Sequence, residues 1–383
     1  MPMSQPDFVG VKTQEFVIQP TAFCNLNCAY CNLPYRSSQE RMDMQTVSRI
    51  FERIFSSSLV ADRVHIVWHS GEPMTIPIRF YEEAYQLMEQ WNTHHISATF
   101  IFQTNGTCIT QEHCDFMKAH QARIRISLDG LQSIHDANRM DRAGKGTFER
   151  VMRGIDLLQK NGIDPTILMV LTRQAFDYPD AIWQFFIDHR IKNIAFLVEQ
   201  ALGTCNVIPL NAPEDGERYK EFLQRILVLR DACLNPPFVR EIDPLIYYIK
   251  HLTQPVWARA NTPLAVVSID RNGYVSTLSP ELLTYRYPHG KTFIFGNVFE
   301  NSLEDILSHP QFITINREVQ EGVASCKRTC EYFVFCGGGS PANKCSESGT
   351  FDTTETAHCK LKIKAATDVI LAHLEKQYQE KGV

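Results

Sequence analysis

No run of eighteen or more apolar residues occurs in this chain, so no segment is suited to cross a membrane as a helix. Positive charge is not in excess either. Lys and Arg number 38 against 43 Asp and Glu, a formal net charge of −5, which leaves no electrostatic footprint for nucleic acid. The opening residues, Met1 to Phe8, carry neither a basic region nor an apolar core, so they do not read as a secretory signal. The expectation is a cytoplasmic protein with neither membrane nor nucleic acid as partner. Internal repeats and low-complexity tracts are absent as well. Cysteine, by contrast, is plentiful: twelve, which without an export signal read as metal or redox ligands rather than disulfides. A hydrophobic fraction of 44% leaves ample core, and 383 residues suggest two domains or one barrel with an appendage.

Short apolar runs alternate with amphipathic stretches from Glu15 to about Gln200. Strands are expected at Glu15–Gln19, Val64–Trp68, Ala98–Gln103, Arg123–Ser127, Thr166–Leu171 and Ile194–Glu199. Helices are expected at Met44–Ser56 (capped by Asp43), Phe80–Trp91, Gln111–Ala119, Phe148–Lys160 and Asp180–His189. Six strands alternating with helices imply α/β architecture with a parallel sheet and right-handed crossovers, here a partial (β/α)6 TIM-like barrel. Its functional rim would lie at the C-terminal strand ends. This unit is expected over residues 1–200, followed by a helical connecting region over 201–260 whose clearest helix is Tyr219–Arg230. A second domain over 261–383 holds a β-hairpin (Ala265–Asp270 and Tyr274–Leu278, flanking Arg271-Asn272-Gly273) and a closing helix from Leu361 to Tyr378.

Directly after the first expected strand stands Cys24-x3-Cys28-x2-Cys31. Three thiolates are one too few for a [4Fe–4S] cubane, so one iron keeps an open position that a small chelating molecule can fill. A zinc knuckle would show paired cysteines with a second pair or histidines, and none follows within reach. The segment resembles the signature of radical S-adenosylmethionine (SAM) enzymes, including the aromatic Tyr30 before the third cysteine. Ser70-Gly71-Glu72-Pro73, after the second strand, stands where those enzymes carry Gly-Gly-Glu-Pro for the methionine amino group, with Ser70 in place of the first glycine. Arg125-Ile-Ser127-Leu-Asp129-Gly130, with Arg139 beyond it, resembles the fourth-strand element of peptide-modifying members. The resemblance implies that Ser127 and Arg139 contact the cofactor's ribose or carboxylate, and that backbone near Tyr30 and Ile194 meets its adenine. An arginine fork suits a carboxylate; the plainer reading of Arg139 is a surface ion pair with Asp136 or Asp141.

Near the C-terminus, Cys326-x3-Cys330-x5-Cys336-Gly-Gly-Gly-Ser340-Pro and the later Cys359 resemble the SPASM domain of peptide and protein maturases. That domain normally has seven cysteines and two auxiliary clusters. Here the hairpin cysteine position is Leu278, in Gly273-x4-Leu278, and Ser340 stands where another cysteine would follow Cys336. The resemblance therefore implies one auxiliary [4Fe–4S] cluster on Cys326, Cys330, Cys336 and Cys359, two clusters in all, with zinc on the same thiolates as the competing metal. Cys345 is a rival ligand that reads more simply as a thiol outside the cluster. Cys108, Cys114, Cys205 and Cys233 lack ligand spacing and read as small apolar residues.

Tyr30-Cys-Asn-Leu-Pro34, Trp68-His-Ser-Gly-Glu-Pro73, Leu278-Ser-Pro-Glu-Leu282 and Cys336-Gly-Gly-Gly-Ser-Pro-Ala-Asn-Lys344 are together similar to the cyclophane-forming maturases of glycine-rich-repeat peptides, the GrrM/OscB type. The resemblance implies a ribosomally made precursor peptide as substrate, a carbon–carbon bond from an aromatic ring to the β-carbon of a nearby residue, and a reductant such as flavodoxin or ferredoxin. Sulfatase maturases are the enzymatic rival. They place an aspartate directly after the hairpin cysteine, where this chain has Leu278 and Ser279. Glu281 and Asp270 are the nearby candidates for a base, and would otherwise be solvated carboxylates. A non-catalytic iron–sulfur carrier is the reading from another class, and it would need neither Glu72 nor Arg139. About fourteen residues before the first strand leave no room for a winged peptide-binding domain.

Overall fold

A computed structural model describes residues 12–199, 210, 212–251, 260–284 and 292–380. Six parallel strands carry the first half: β1 (Thr13–Gln19), β2 (Val60–Trp68), β3 (Ser97–Thr104), β4 (Arg123–Ser127), β5 (Thr166–Leu171) and β6 (Asn193–Val198). Between them run α1 (Met44–Ser56), α2 (Ile78–Trp91), α3 (Gln111–His120), α4 (Gln132–Asn138), α5 (Phe148–Lys160) and α6 (Pro179–Asp188). This is the partial (β/α)6 barrel expected from the alternation.

Local chemistry explains the elements. Asp43 caps α1, its Oδ1 accepting from the Thr46 amide at 2.7 Å, and Val47, Ile50, Phe51, Ile54 and Phe55 bury one face. The strands read with a period of two. Phe16, Ile18, Ile66, Trp68, Phe100 and Phe102 face the helices in the main core, whereas Val17, Val67 and Ile101 form a separate cluster on the opposite, inner face. Edge-to-face rings knit the helix side, with centroids 5.3 Å apart for Trp68–Tyr81 and 4.8 Å for Tyr81–Phe102. Each such pair contributes about 0.5–1.5 kcal/mol beyond burial.

The sheet continues past both ends of this unit, which no local pattern announced. Its order is β10-β9-β8-β1-β2-β3-β4-β5-β6-β7. After α7 (Pro213–Ala232), in the stretch expected to be helical, the two-residue β7 (Phe238–Val239) pairs parallel with β6. The side chain of Glu241, just beyond it, accepts from the Phe196 amide at 2.7 Å. A strand of two residues has no alternation to read. α8 (Asp243–His251) follows. The expected hairpin forms from β8 (Val266–Asp270) and β9 (Tyr274–Thr277), with β10 (Gly296–Asn297) beyond it, and β8 also pairs parallel with β1 over five residues, Glu15–Gln19.

The remaining chain is helical: α9 (Leu303–Leu307), α10 (Pro310–Thr329), α11 (Phe333–Cys336), α12 (Pro341–Ser348), α13 (Ala357–Cys359) and, through a π-helical stretch at Lys360–Ala365, α14 (Ala366–Glu380). The closing helix expected as one piece is thus underwound at its start. Among the described residues no helix is long and apolar enough to cross a membrane.

Candidate functional site

The C-terminal strand ends enclose a cavity of about 310 Å³. The loop after β1 brings Cys24, Cys28, Tyr30 and Cys31 to it, and the turn after β2 brings His69 to Glu72. β3 and β4 contribute Gln103 to Asn105 and Ser127, and Arg139 and Glu281 complete the wall. Strand alternation thus gathers most of the expected cofactor residues at one rim.

The turn after β2 is shaped for close approach. Ser70 and Gly71 have φ of +74° and +52°, a region costly for side-chain-bearing residues. A Cβ on Gly71 would fall onto the Phe23 carbonyl oxygen and 2.7 Å from the Ala22 carbonyl carbon, so the cysteine loop packs against bare backbone. The Glu72 amide then donates to the Phe23 oxygen at 2.7 Å. Glu72 is fully buried. Its Oε1 accepts from the Met74 amide (2.9 Å) and Thr104 Oγ1 (2.5 Å), and its Oε2 from the Asn105 amide (2.6 Å). Burial raises its pKa, and these donors oppose the rise.

Arg139 is a buried residue, not a surface one. Nε and Nη2 grip Asp129 at 2.9 and 3.0 Å, and the guanidinium lies 5.2 Å from the Tyr30 ring centroid. The Tyr30 hydroxyl donates to the same Asp129 Oδ2. Asp136 and Asp141 serve elsewhere, on the Thr147 and Phe148 amides and on Arg150. Burial would lower the Arg139 pKa, but Asp129 beside it holds it raised. His135 Nδ1 accepts from the Asp129 amide at 3.3 Å, so its Nε2 carries the proton and donates to Thr147 Oγ1 at 3.0 Å. Asp129 is the residue sequence reasoning passed over as a site group; its place two positions after a strand end was the available signal.

Two expected residues do not reach the cavity. Ile194 sits near the start of β6 with its side chain in the helix-facing core, while the residues β6 gives to the cavity are Leu197 and Val198, with Glu199 just beyond. The expected backbone contact therefore lies further along the strand than Ile194, a difference of depth. Asp270 Oδ1 accepts from the Asn272 and Tyr274 amides, both at 2.9 Å, so it closes the hairpin turn. Glu281 does line the cavity, and Ser279 donates to its Oε2. His69 lies on the same wall, and its buried Nδ1 has no hydrogen-bond partner among the described residues. Burial lowers the His69 pKa and Arg125 adds to that, whereas Glu281 and Glu15 pull it upward.

The three thiols suit an iron–sulfur cluster. Cys24 Sγ accepts from the Leu26 amide at 3.4 Å and from Asn105 Nδ2 at 3.8 Å, donors that favour a thiolate. Burial, with Glu72 nearby, pushes the free Cys24 thiol up to about 12, and burial raises Cys28 too, so bound iron would supply the charge that keeps these sulfurs ionised. Among the described residues no three Cys, His, Asp or Glu side chains gather around one point as at a single-ion site. The thiolates of a cubane bind different irons and need not meet at a point.

Residues 18–181 match the model of the Radical SAM superfamily. A Synechocystis protein, uncharacterized protein sll1766, is 37% identical over 368 residues, 95% of this chain and 92% of its own length. The chain belongs to the radical SAM superfamily. A serine-type anaerobic sulfatase-maturating enzyme of Bacteroides thetaiotaomicron is 25% identical over 94% of this chain and 88% of its own. Two solved structures share the fold. Native anSMEcpe with bound AdoMet and the Cp18Cys peptide superposes with a TM-score of 0.77 at 21% identity, covering 96% of this chain and 99% of that one. Streptococcus suis SuiB bound to the precursor peptide SuiA gives 0.63 at 16% identity, covering 90% and 76%. This radical SAM enzyme consumes S-adenosylmethionine, and its cofactors are that molecule and [4Fe–4S] clusters.

The second cysteine group of the radical SAM protein also comes together. Cys326 lies in the last turn of α10, Cys330 caps it, Cys336 ends α11 and Cys359 ends α13. Burial raises the thiol pKa of Cys326, and that of Cys359 to about 11; both also feel Cys330 and Cys336, so the four share one locality. Gly337, Gly338 and Gly339 all have positive φ, and a Cβ on Gly338 would lie 2.9 Å from Val323 Cγ2. The two positions that lost a cysteine have become structural. Leu278 is buried in the apolar core, and Ser340 Oγ accepts from the Asn343 amide to cap α12. Cys345 belongs to the apolar core, as does Cys114, while Cys108 and Cys233 pack against it; Cys205 lies outside the described residues.

Proposed function

We propose that this radical SAM enzyme modifies a ribosomally made precursor peptide, joining an aromatic ring carbon to the β-carbon of a nearby residue. Peptides appear with both structural neighbours, as the Cp18Cys peptide and as the precursor SuiA. The observation that carries the finer reading is the hairpin exit. A sulfatase-type oxidation calls for a cysteine followed by an aspartate there, and this chain buries Leu278 in the core and follows it with Ser279. The carboxylate that the segment after the hairpin gives to the cavity is Glu281.

When bound, the reduced cluster and S-adenosylmethionine supply a carbon-centred radical that takes one hydrogen atom from the substrate. Cys24, Cys28 and Cys31 would hold that cluster, and the Ser70–Gly71 turn and Glu72 would receive the cofactor's amino group. Ser127 and the Arg139 donors not spent on Asp129 would hold its ribose and carboxylate. Backbone at Tyr30 and at Leu197–Glu199 would hold the adenine. Coupling to the ring would release a second hydrogen as a proton and an electron, and Glu281 on the cavity wall would take the proton. Cys326, Cys330, Cys336 and Cys359 would hold the auxiliary cluster, whose chemistry is to take up one electron, and a flavodoxin- or ferredoxin-type protein would be the reductant. The sulfatase-maturase reading keeps support from the serine-type relative and predicts an aldehyde product.

The test is incubation with a short peptide encoded beside the gene and bearing an aromatic residue. The expected product is lighter by roughly two mass units per crosslink, and deuterium placed on the β-carbon appears in 5′-deoxyadenosine. Glu281→Gln is expected to retain label transfer while losing crosslinked product. A product that hydrazine traps as an aldehyde, or label transfer from the α-carbon alone, would falsify the crosslink assignment.

A further inference from the structure

We propose that Lys344 is the charge partner of the auxiliary cluster and raises its reduction potential. The proposal rests on the reading of Cys326, Cys330, Cys336 and Cys359 as that cluster's ligands. Lys344 lies in α12 and is only 3% exposed, although lysine is a residue type almost never buried without a partner. Its Nζ donates to Cys326 Sγ at 3.7 Å. Burying an unpaired ammonium costs several kcal/mol, so its position calls for negative charge nearby.

The surroundings are shaped to admit that side chain. A Cβ on Gly322 would lie 3.1 Å from Nζ, and one on Gly339 3.6 Å from Cε, so two glycines border its path. Cys326 is itself buried and its Sγ also meets the Thr354 carbonyl oxygen at 3.4 Å. The other lysine near these sulfurs, Lys364, is ion-paired with Glu355 at 2.6 Å and its side chain is 31% exposed, so much of its charge is answered elsewhere. Lys344 therefore stands out as the buried cation directed at a ligand sulfur.

A four-thiolate cubane carries a net charge of about −2 when oxidised and about −3 when reduced, and net charge and hydrogen bonds to sulfur set its potential. A fixed ammonium in a poorly screened site stabilises the more negative state more. The cluster becomes easier to reduce, which suits a group that must accept an electron. Lys344 acts through the cluster and is a positioning residue.

The experiment is an anaerobic redox titration of full-length protein followed by electron paramagnetic resonance, with the auxiliary signal assigned in the Cys24, Cys28 and Cys31 to alanine variant. Lys344→Met should keep the wild-type iron content and move the auxiliary midpoint to more negative potential, while Lys344→Arg stays near wild type. An unmoved midpoint in Lys344→Met, or an equal shift in Lys344→Arg, overturns the proposal. Should Lys344→Met fail to hold the cluster, loss in Lys344→Gln with retention in Lys344→Arg supports a charge requirement, whereas loss in all three means a role in shape and overturns it. Wild-type protein holding roughly four irons would sink the four-cysteine reading and this inference together. Roughly eight irons with an unmoved midpoint would sink this inference alone.

Discussion

Arg139 and Asp129 meet as a closed two-pronged pair, and the same carboxylate also accepts from the Tyr30 hydroxyl and from the Val170 amide at 3.0 Å. One buried aspartate thereby ties the cysteine loop to the end of α4 and to β5. This pair braces the cysteine loop and, through Arg139, borders the cavity, so the two roles need separate measurements.

Removing one partner leaves the other buried and charged. Arg139→Ala should lower unfolding free energy by about 3–5 kcal/mol, and Asp129→Asn by a comparable amount. The double variant Arg139→Ala with Asp129→Asn should cost less than the sum of the two, since no lone charge remains. Denaturant unfolding checks this, and calorimetric titration with S-adenosylmethionine should show weakened binding in Arg139→Ala. Additive losses would mean the pair is not coupled.

Two cubanes require roughly eight irons and eight sulfides per chain after anaerobic reconstitution. Replacing Cys24, Cys28 and Cys31 by alanine should leave roughly four of each and abolish 5′-deoxyadenosine formation. A wild-type count near twelve would reveal a cluster beyond the two cysteine groups.

Gly71→Ala should act at a distance on the cluster loop. Its new methyl has no space beside the Ala22 and Phe23 carbonyls, so the loop must shift away from the turn. Iron content is expected to fall toward that of the triple cysteine variant, with cofactor cleavage lost. Full iron loading in Gly71→Ala would show that the loop accommodates the methyl.

His135 gives the protein an acid-sensitive support. Burial, reinforced by Arg139, pushes its pKa down to about 4 from an ordinary 6.5. Above pH 6.5 both folded and unfolded states hold it neutral and its full contribution is present. As pH falls toward 4 the unfolded chain gains a proton that the folded chain refuses, removing up to about 3 kcal/mol. The stability gap between wild type and His135→Asn should therefore narrow between neutral pH and pH 4. A gap that stays constant with pH would show that the imidazole does not titrate this way.

The alternating barrel was legible in the sequence because each strand and helix advertises its own period. Arg123–Ser127, Thr166–Leu171, Met44–Ser56 and Phe148–Lys160 fall where the patterns put them. What local patterns cannot carry is pairing between distant segments. Nothing in Val266–Asp270 announces β1 as its neighbour, and nothing in Phe238–Val239 announces a strand at all. At the site, the rim residues followed from strand ends, but depth along the strand and hydrogen bonding decided the details. Ile194 sits short of the cavity on its strand, Asp270 is held in its turn, and Arg139 turns inward to an aspartate ten residues before it.

β8 lies against β1 as a further parallel strand, so the hairpin of the cysteine-rich half and the strand that launches the first cysteine loop share one ladder. Opening the two halves like a clamshell would tear that ladder along five residues. Access to the cavity would then come without parting β1 from β8, between strands that stay paired along that edge. On the proposed crosslinking reading, the spacing of the joined residues would be gauged by a fixed aperture, much as a die sets the gauge of drawn wire.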